Sequence, residues 1–139
     1  MYSELIDVPL LIICWNQEKM IECEHLVSLI DLPPTIAYFY GIEVPEEFKG
    51  CSLLPLNSYK KNNCYGEAMG KIGNKEKDTD KPIYYYREND MKIIFREDNN
   101  SWEIYDLKRD PDEKENIADD PSSQYLKDKL KPMISRWVK

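Results

Sequence analysis

Residues 8–15 read Val-Pro-Leu-Leu-Ile-Ile-Cys-Trp, apolar from end to end with no charged or polar interruption. A strand with one wet face alternates apolar with polar residues. One that is apolar throughout is covered on both faces, as in the middle of a parallel sheet lying between helices. No second run of this kind occurs in the sequence. Standing alone, such a strand would expose an edge and two apolar faces, so its covering elements are expected to come from a longer polypeptide or from another copy of the chain. The run is much shorter than the ~20 residues of a membrane helix. Its acidic flanks and lack of a small-residue cleavage pattern do not fit a secretory signal either.

The chain of 139 residues is long enough for one domain with a real core, or for a piece of a larger one. Its net charge of −7, with no basic patch interleaved with aromatics, argues against nucleic acid as a partner. Cys14, Cys23, Cys51 and Cys64 lie far apart without a Cys-x-x-Cys pair, and His25 is the single histidine, so neither a zinc site nor a redox pair is written here. Free thiols in a reducing, cytoplasmic setting are the expectation, with two disulfides left open.

Along the chain, residues 24–41 read as a helix broken at Pro33-Pro34, with Asp31 capping a fresh start and Gly41 placed for a left-handed C-terminal cap. His25, at its start, reads as a surface residue rather than a catalytic one. Gly50 marks a turn, followed by a leucine anchor, Leu53-Leu54-Pro55-Leu56. The Cys51-Ser52 pair has no histidine following it to act as a base and no strand-turn-helix setting, so packing is expected of it rather than nucleophilic attack. Residues 57–81 are polar and read as mobile loops around a short strand at 64–69. Three strand-like runs follow, at 83–87, 92–96 and 102–107, joined by turn residues into an antiparallel meander. In it Tyr84 to Tyr86 are expected to pack across strands rather than to stack on a ligand. Asp120-Pro121 opens a final helix whose apolar face is Leu126, Leu130, Met133, Ile134 and Trp137, kinked or split at Pro132.

Between the last strand and that helix the sequence runs Trp102 to Ala118, WEIYDLKRDPDEKENIA. Asp110 and Pro111 suit a capped first turn. Asp112 and Glu113 read as solvated charge near the positive end of a helix dipole. Asn116 has a short side chain suited to bonding nearby backbone, and Ile117-Ala118 turns an apolar edge toward the strand. The acidic residues do not have calcium-loop spacing.

Four segments together resemble the sulfatases, of the arylsulfatase type within the alkaline-phosphatase-like superfamily. Tyr2-Ser3-Glu4 through Val8-Pro9-Leu10-Leu11-Ile12 is similar to their Tyr-x-Glu-x-x-x-Val-Pro-Leu-Ile strand, and Val27-Ser28 through Asp31 to Pro34-Thr35 to their Val-Ser-x-x-Asp-x-x-Pro-Thr helix. Gly50-Cys51-Ser52-Leu53-Leu54-Pro55-Leu56 resembles their Gly-x-Ser-Leu-x-Pro-Leu loop. Glu103-Ile104-Tyr105-Asp106-Leu107, Asp110-Pro111, Glu113 and Asn116-Ile117-Ala118 resemble their Glu-Leu-Tyr-Asp-Leu, Asp-Pro-x-Glu, Asn-Leu-Ala tail.

The resemblance implies an α/β fold, or α+β for the isolated piece. It would hold the last strand and helix of an alkaline-phosphatase-like sheet within 1–56, a polar loop region at 57–82, and a small antiparallel sheet with a carboxy-terminal helix at 83–139. Complete members use a formylglycine, made from a Cys/Ser-x-Pro-x-Arg motif, and a divalent metal such as calcium, all ahead of the Val-Pro-Leu strand. Cys14 and Cys51 lack the Pro and Arg of that motif, His25 matches no catalytic histidine, and Asp119-Asp120 is at the wrong end, so no catalytic, cofactor-binding or metal residue is expected here. The resemblance thus implies the carboxy-terminal region of a sulfuric ester hydrolase, inactive alone. A sulfated small molecule or glycan would be substrate only of the complete enzyme, and 8–15 would meet the missing catalytic half or a second copy. The alternatives are a standalone, self-associating interaction module, favoured by Met1 standing directly before the first segment, and a piece of a related phosphatase or phosphonate hydrolase.

Overall fold

The structure is a computed structural model that describes residues 1–13, 20–68 and 81–137. Its elements are α1 (Ser3–Ile6), α2 (Leu32–Phe39), β1 (Asn63–Ala68), β2 (Ile83–Glu88), β3 (Met91–Arg96), β4 (Ser101–Asp106) and α3 (Gln124–Trp137), with 3-10 turns at Leu29–Asp31, Leu56–Ser58 and Pro121–Ser123. The strands form one sheet in the order β1-β2-β3-β4. The chain divides into two compact units, Met1–Val8 with Tyr65–Lys139, and Pro9–Cys64.

In the first unit the expected meander forms. β2 and β3 pair antiparallel with Tyr84 opposite Phe95 and Tyr86 opposite Ile93, and β3 pairs with β4 with Ile93 opposite Ile104. The period of two puts Tyr84, Tyr86, Ile93 and Ile104 on one face, where α3 adds Leu126 and Leu130 to a core completed by Ala118. Tyr84 stacks on Phe95 with ring centroids 6.4 Å apart, and Phe95 meets Trp102 at 4.4 Å, so the aromatic row packs across strands. Met133 and Ile134 extend the helix's buried side. Of the two outcomes expected at Pro132, a kink or a split, the split does not occur: Pro132 lies inside one continuous helix.

The stretch after β4 is a turn, as read from Asp110-Pro111. Asp110 does bond forward, its Oδ2 accepting from Glu115 N at 2.8 Å. Asn116 clips the outer edge of β4: its Oδ1 accepts from Ile104 N at 2.9 Å and from Ala118 N at 3.0 Å, while its Nδ2 donates to Trp102 O at 3.2 Å. Ile117 N then donates to Ile104 O. Glu113 departs furthest from the reading. It adopts φ +53 and is buried, not solvated.

In the second unit α2 begins only at Leu32, and residues 21–28 are not helical. The two prolines fit this correction: lacking an N–H and with rings that clash with the carbonyl one turn back, they are tolerated in the first turn of α2 but not in the middle of a helix running through from residue 24. The helix is instead entered through a capping box, in which Ser28 N donates to Asp31 Oδ2 at 2.9 Å. At the other end Gly41 takes φ +65, with Gly41 N donating to Tyr38 O and Ile42 N to Ala37 O, a Schellman ending as expected.

Residues 8–13 form no strand, and Leu11 and Ile13 are 76% and 84% exposed. A strand exists by its ladder, and nothing within the described residues supplies one. Cys14, Trp15, Met69, residues 71–80 and the side chain of Trp137, on which the expected strand end, the loop mobility and part of the helix face rested, lie outside the described residues.

Candidate functional site

The most heavily bonded polar group of the second unit is Asp31, at the junction of its 3-10 turn and α2 and fully buried. Oδ1 accepts from Cys51 N at 2.9 Å and from Lys61 Nζ at 3.1 Å. Oδ2 accepts from Ser28 N at 2.9 Å and Lys61 Nζ at 2.9 Å, with the Tyr59 hydroxyl at 3.0 Å. One helical turn on, Thr35 Oγ1 donates to Asp31 O and accepts from Leu53 N at 2.9 Å. Residues 31 and 35 thereby hold the loop at 51–53 against the start of α2.

Gly50 lets that loop approach: a Cβ there would stand 1.9 Å from the Ile30 carbonyl oxygen. Its requirement is close approach, where the sequence suggested only a turn. Burial alone would push the Asp31 carboxyl upward, but the N–H groups of Cys51 and Ser28 and the Lys61 ammonium outweigh it and hold the group below its usual range. Burial, followed by the Asp31 carboxylate beside it, drives the Tyr59 hydroxyl in the opposite direction, well above its ordinary value. A carboxylate whose two oxygens are filled by four donor groups has no lone pair to spare for a substrate proton or a metal, so Asp31 positions loops and does no acid–base chemistry.

A second buried pair sits on the face of the meander opposite α3. Lys92 Nζ lies 2.6 Å from Glu113 Oε1, with side chains 0% and 3% exposed. Glu113 Oε1 has no hydrogen-bond partner, so this contact is an ion pair alone. Glu113 Oε2 accepts from Ser3 N at 2.6 Å, and Lys92 donates to Ser3 Oγ at 3.2 Å, so the pair tethers α1 to the sheet. Four residues along β3, Arg96 Nε donates to Glu103 Oε1 at 2.6 Å, and the Tyr105 hydroxyl to Glu103 Oε2 at 3.1 Å. Burial works against the charged form of Glu103, yet Arg96, Tyr2 and Tyr105 together lower its pKa.

The residues weighed from sequence come together only in part. His25 is exposed, its ring centroid 6.1 Å from that of Tyr59. Cys51 enters the Asp31 cluster through its backbone alone. Ser52 Oγ is engaged locally with Leu54 O and Leu54 N. Asp120 caps the turn before α3 by accepting from Ser122 N. Among the described residues no three His, Cys, Asp or Glu side chains converge as metal ligands, and no helix is long and apolar enough to cross a membrane. Sequence reasoning missed Lys61, Lys92 and the burial of Glu113. The signal for Lys92 was present: a single lysine followed by Ile93-Ile94-Phe95 in a strand needs a counter-charge wherever its face is covered.

Beside the Asp31 cluster the second unit carries an open apolar groove lined by Ile12, Ile13, Leu32, Thr35, Ile36, Phe39, Tyr40 and Leu54. Around it Leu29, Ile30, Ile36, Phe39 and Tyr40 are exposed by 42–71%. So much contiguous apolar surface is characteristic of an interface.

The model of the family described as N-sulphoglucosamine sulphohydrolase, C-terminal, matches residues 1–139. A Delta 4,5-hexuronate-2-O-sulfatase of Bacteroides thetaiotaomicron is 30% identical over 143 residues, covering 99% of this chain and 29% of that protein. An uncharacterized protein of Haemophilus influenzae is 28% identical over 120 residues, 84% of this chain and 58% of that protein. Among solved structures, a 2-O GAG sulfatase superposes with a TM-score of 0.62 at 26% identity, over 78% of this chain and 24% of that one. The chain therefore spans less than two thirds of the length of these relatives.

Proposed function

Because the chain belongs to the sulfatase family whose shared part is described as N-sulphoglucosamine sulphohydrolase, C-terminal, we propose that it serves as the carboxy-terminal part of a sulfuric ester hydrolase whose reacting groups lie in another segment. The observation that carries this reading is the pairing of lengths: 99% and 78% of this chain align with only 29% and 24% of two sulfatases. The apolar groove and the exposed run at 8–13 are what a piece resting against a larger body would present.

The residues here do not fit a formylglycine or a divalent ion. Cys51 is followed by Ser-Leu-Leu-Pro, not by x-Pro-x-Arg, and the buried carboxylates Asp31 and Glu113 are already neutralised by Lys61 and Lys92. No reaction step is assigned to this chain. Its contribution is scaffold: the Asp31 cluster fixes the 50–56 loop, and the Lys92–Glu113 pair fixes the start of the chain on the sheet. The substrate class proposed for the complete enzyme is a sulfated glycan or small molecule.

The test is turnover of an aryl sulfate and of sulfated disaccharides by the purified 139-residue chain, alone and joined to an upstream catalytic segment. Turnover only in the joined form is expected, and turnover by the chain alone would overturn the reading. A second reading, an interaction module that works without a catalytic half, draws support from the Haemophilus protein, of which this chain spans more than half. The mass of the native polypeptide in its source cells decides between them: a species near 16.5 kDa favours the module, and one several times heavier the hydrolase.

A further inference from the structure

Helix α2 buries its small residues and exposes its large ones. The buried positions are Pro34, Thr35 and Ala37, while Ile36, Phe39 and Tyr40 are 57%, 57% and 71% exposed. A helix on the surface of a finished domain does the reverse, sending its large apolar side chains inward. The outward side of α2 therefore has the composition of an interior. Ile12 and Ile13 line the same groove and belong to a run, residues 9–13, whose backbone makes no hydrogen bond among the described residues. The Thr35 hydroxyl is already engaged by Asp31 O and Leu53 N, so what fits this face is apolar surface and backbone rather than a polar ligand.

Taking the chain as part of a longer sulfuric ester hydrolase, we propose that the outer face of α2 and residues 9–13 dock the upstream part of that same polypeptide. It covers Ile36, Phe39 and Tyr40 with apolar side chains and supplies backbone partners to 9–13. The choice of occupant rests on length. The matched family part is described as C-terminal, and this chain spans 29% of the hexuronate sulfatase and 58% of the Haemophilus protein, so each of these relatives carries further chain. Chain joined to the same polypeptide is present at an effective concentration near millimolar, against which a second copy in free solution competes poorly.

The test compares the native polypeptide, purified from its source cells with an antibody against residues 102–118, with the separately produced 139-residue chain. Both are oxidised with hydroxyl radicals and mapped by mass, and amide exchange is followed over 10–13. In the native polypeptide Phe39 and Tyr40 should be oxidised about tenfold more slowly than in the separate chain, and the amides should exchange more slowly as well. Replacing Ile36→Asp together with Phe39→Asp should leave the urea midpoint of the separate chain unchanged, since both side chains are already exposed, and lower that of the long polypeptide. A native species several times heavier than 16.5 kDa with equal footprints in both forms would overturn the docking and leave the hydrolase reading standing. One near 16.5 kDa would remove the occupant and that reading together. Protection that grows in the separate chain with its concentration would assign the face to a second copy and overturn the proposal.

Discussion

Lys92 on β3 and Glu113 beyond β4 face each other at 2.6 Å in a setting from which solvent is almost absent, and Glu113 reaches it from a left-handed backbone conformation. Removing one partner strands the other charge. Glu113→Gln and Lys92→Met should each cost about 4 kcal/mol in urea unfolding. The double replacement should cost less than the sum of the singles, and a strictly additive cycle would show that the two charges do not depend on each other.

Asp31→Asn keeps the shape of the hub but removes the charge that Lys61 Nζ faces from 2.9 Å. A loss of about 3 kcal/mol is expected. Proteolysis within 50–61 should accelerate with it, because the loop loses its Cys51 and Lys61 attachments. Unchanged cleavage rates would show that the loop is held elsewhere.

The pH dependence follows from the same groups. Asp31 and Glu103 both have folded pKa values below their unfolded ones. Their contribution is present above the ordinary carboxylate range and is lost as pH falls through the depressed values, so unfolding free energy should decline from roughly pH 5 downward. Combining Asp31→Asn with Glu103→Gln should flatten that decline, measured by urea midpoints between pH 7 and pH 3.

Gly50→Ala tests close approach. The new methyl would meet the backbone at Ile30 O and Ile30 C, which cannot swing aside as a side chain can, so a cost of about 3 kcal/mol is expected. Wild-type stability in this variant would mean that the loop shifts freely.

Asn116→Ala should cost about 2 kcal/mol, since two N–H groups and one carbonyl lose their partner together. Asn116→Asp retains the acceptor and should cost less, and amide exchange at Ile104 reports the difference.

The meander was legible because its information is local: alternating aromatic and β-branched residues separated by Asn and Asp turns give strands and pairing directly. The Schellman ending at Gly41 was legible for the same reason. Asp31 and Glu113 were not. Both have the sequence context of a cap, and what buries them is a lysine or a backbone donor 20 to 110 residues away, a separation on which short-range patterns are silent. Residues 24–28 were misread because their apolar spacing suits a helix, whereas Pro33 and Pro34, which fit only a first turn, govern where helical backbone can begin. The apolar run at 8–13 announced its need for covering elements, and in the structure it remains largely uncovered.

The clip by Asn116 and Ile117 makes the sheet directional. Along β4 the outward N–H and C=O of Ile104 and the carbonyl of Trp102 are occupied, so an approaching strand finds no free register there. β1 is the other outer strand. The clip therefore bars a fifth strand from extending the sheet along that part of β4.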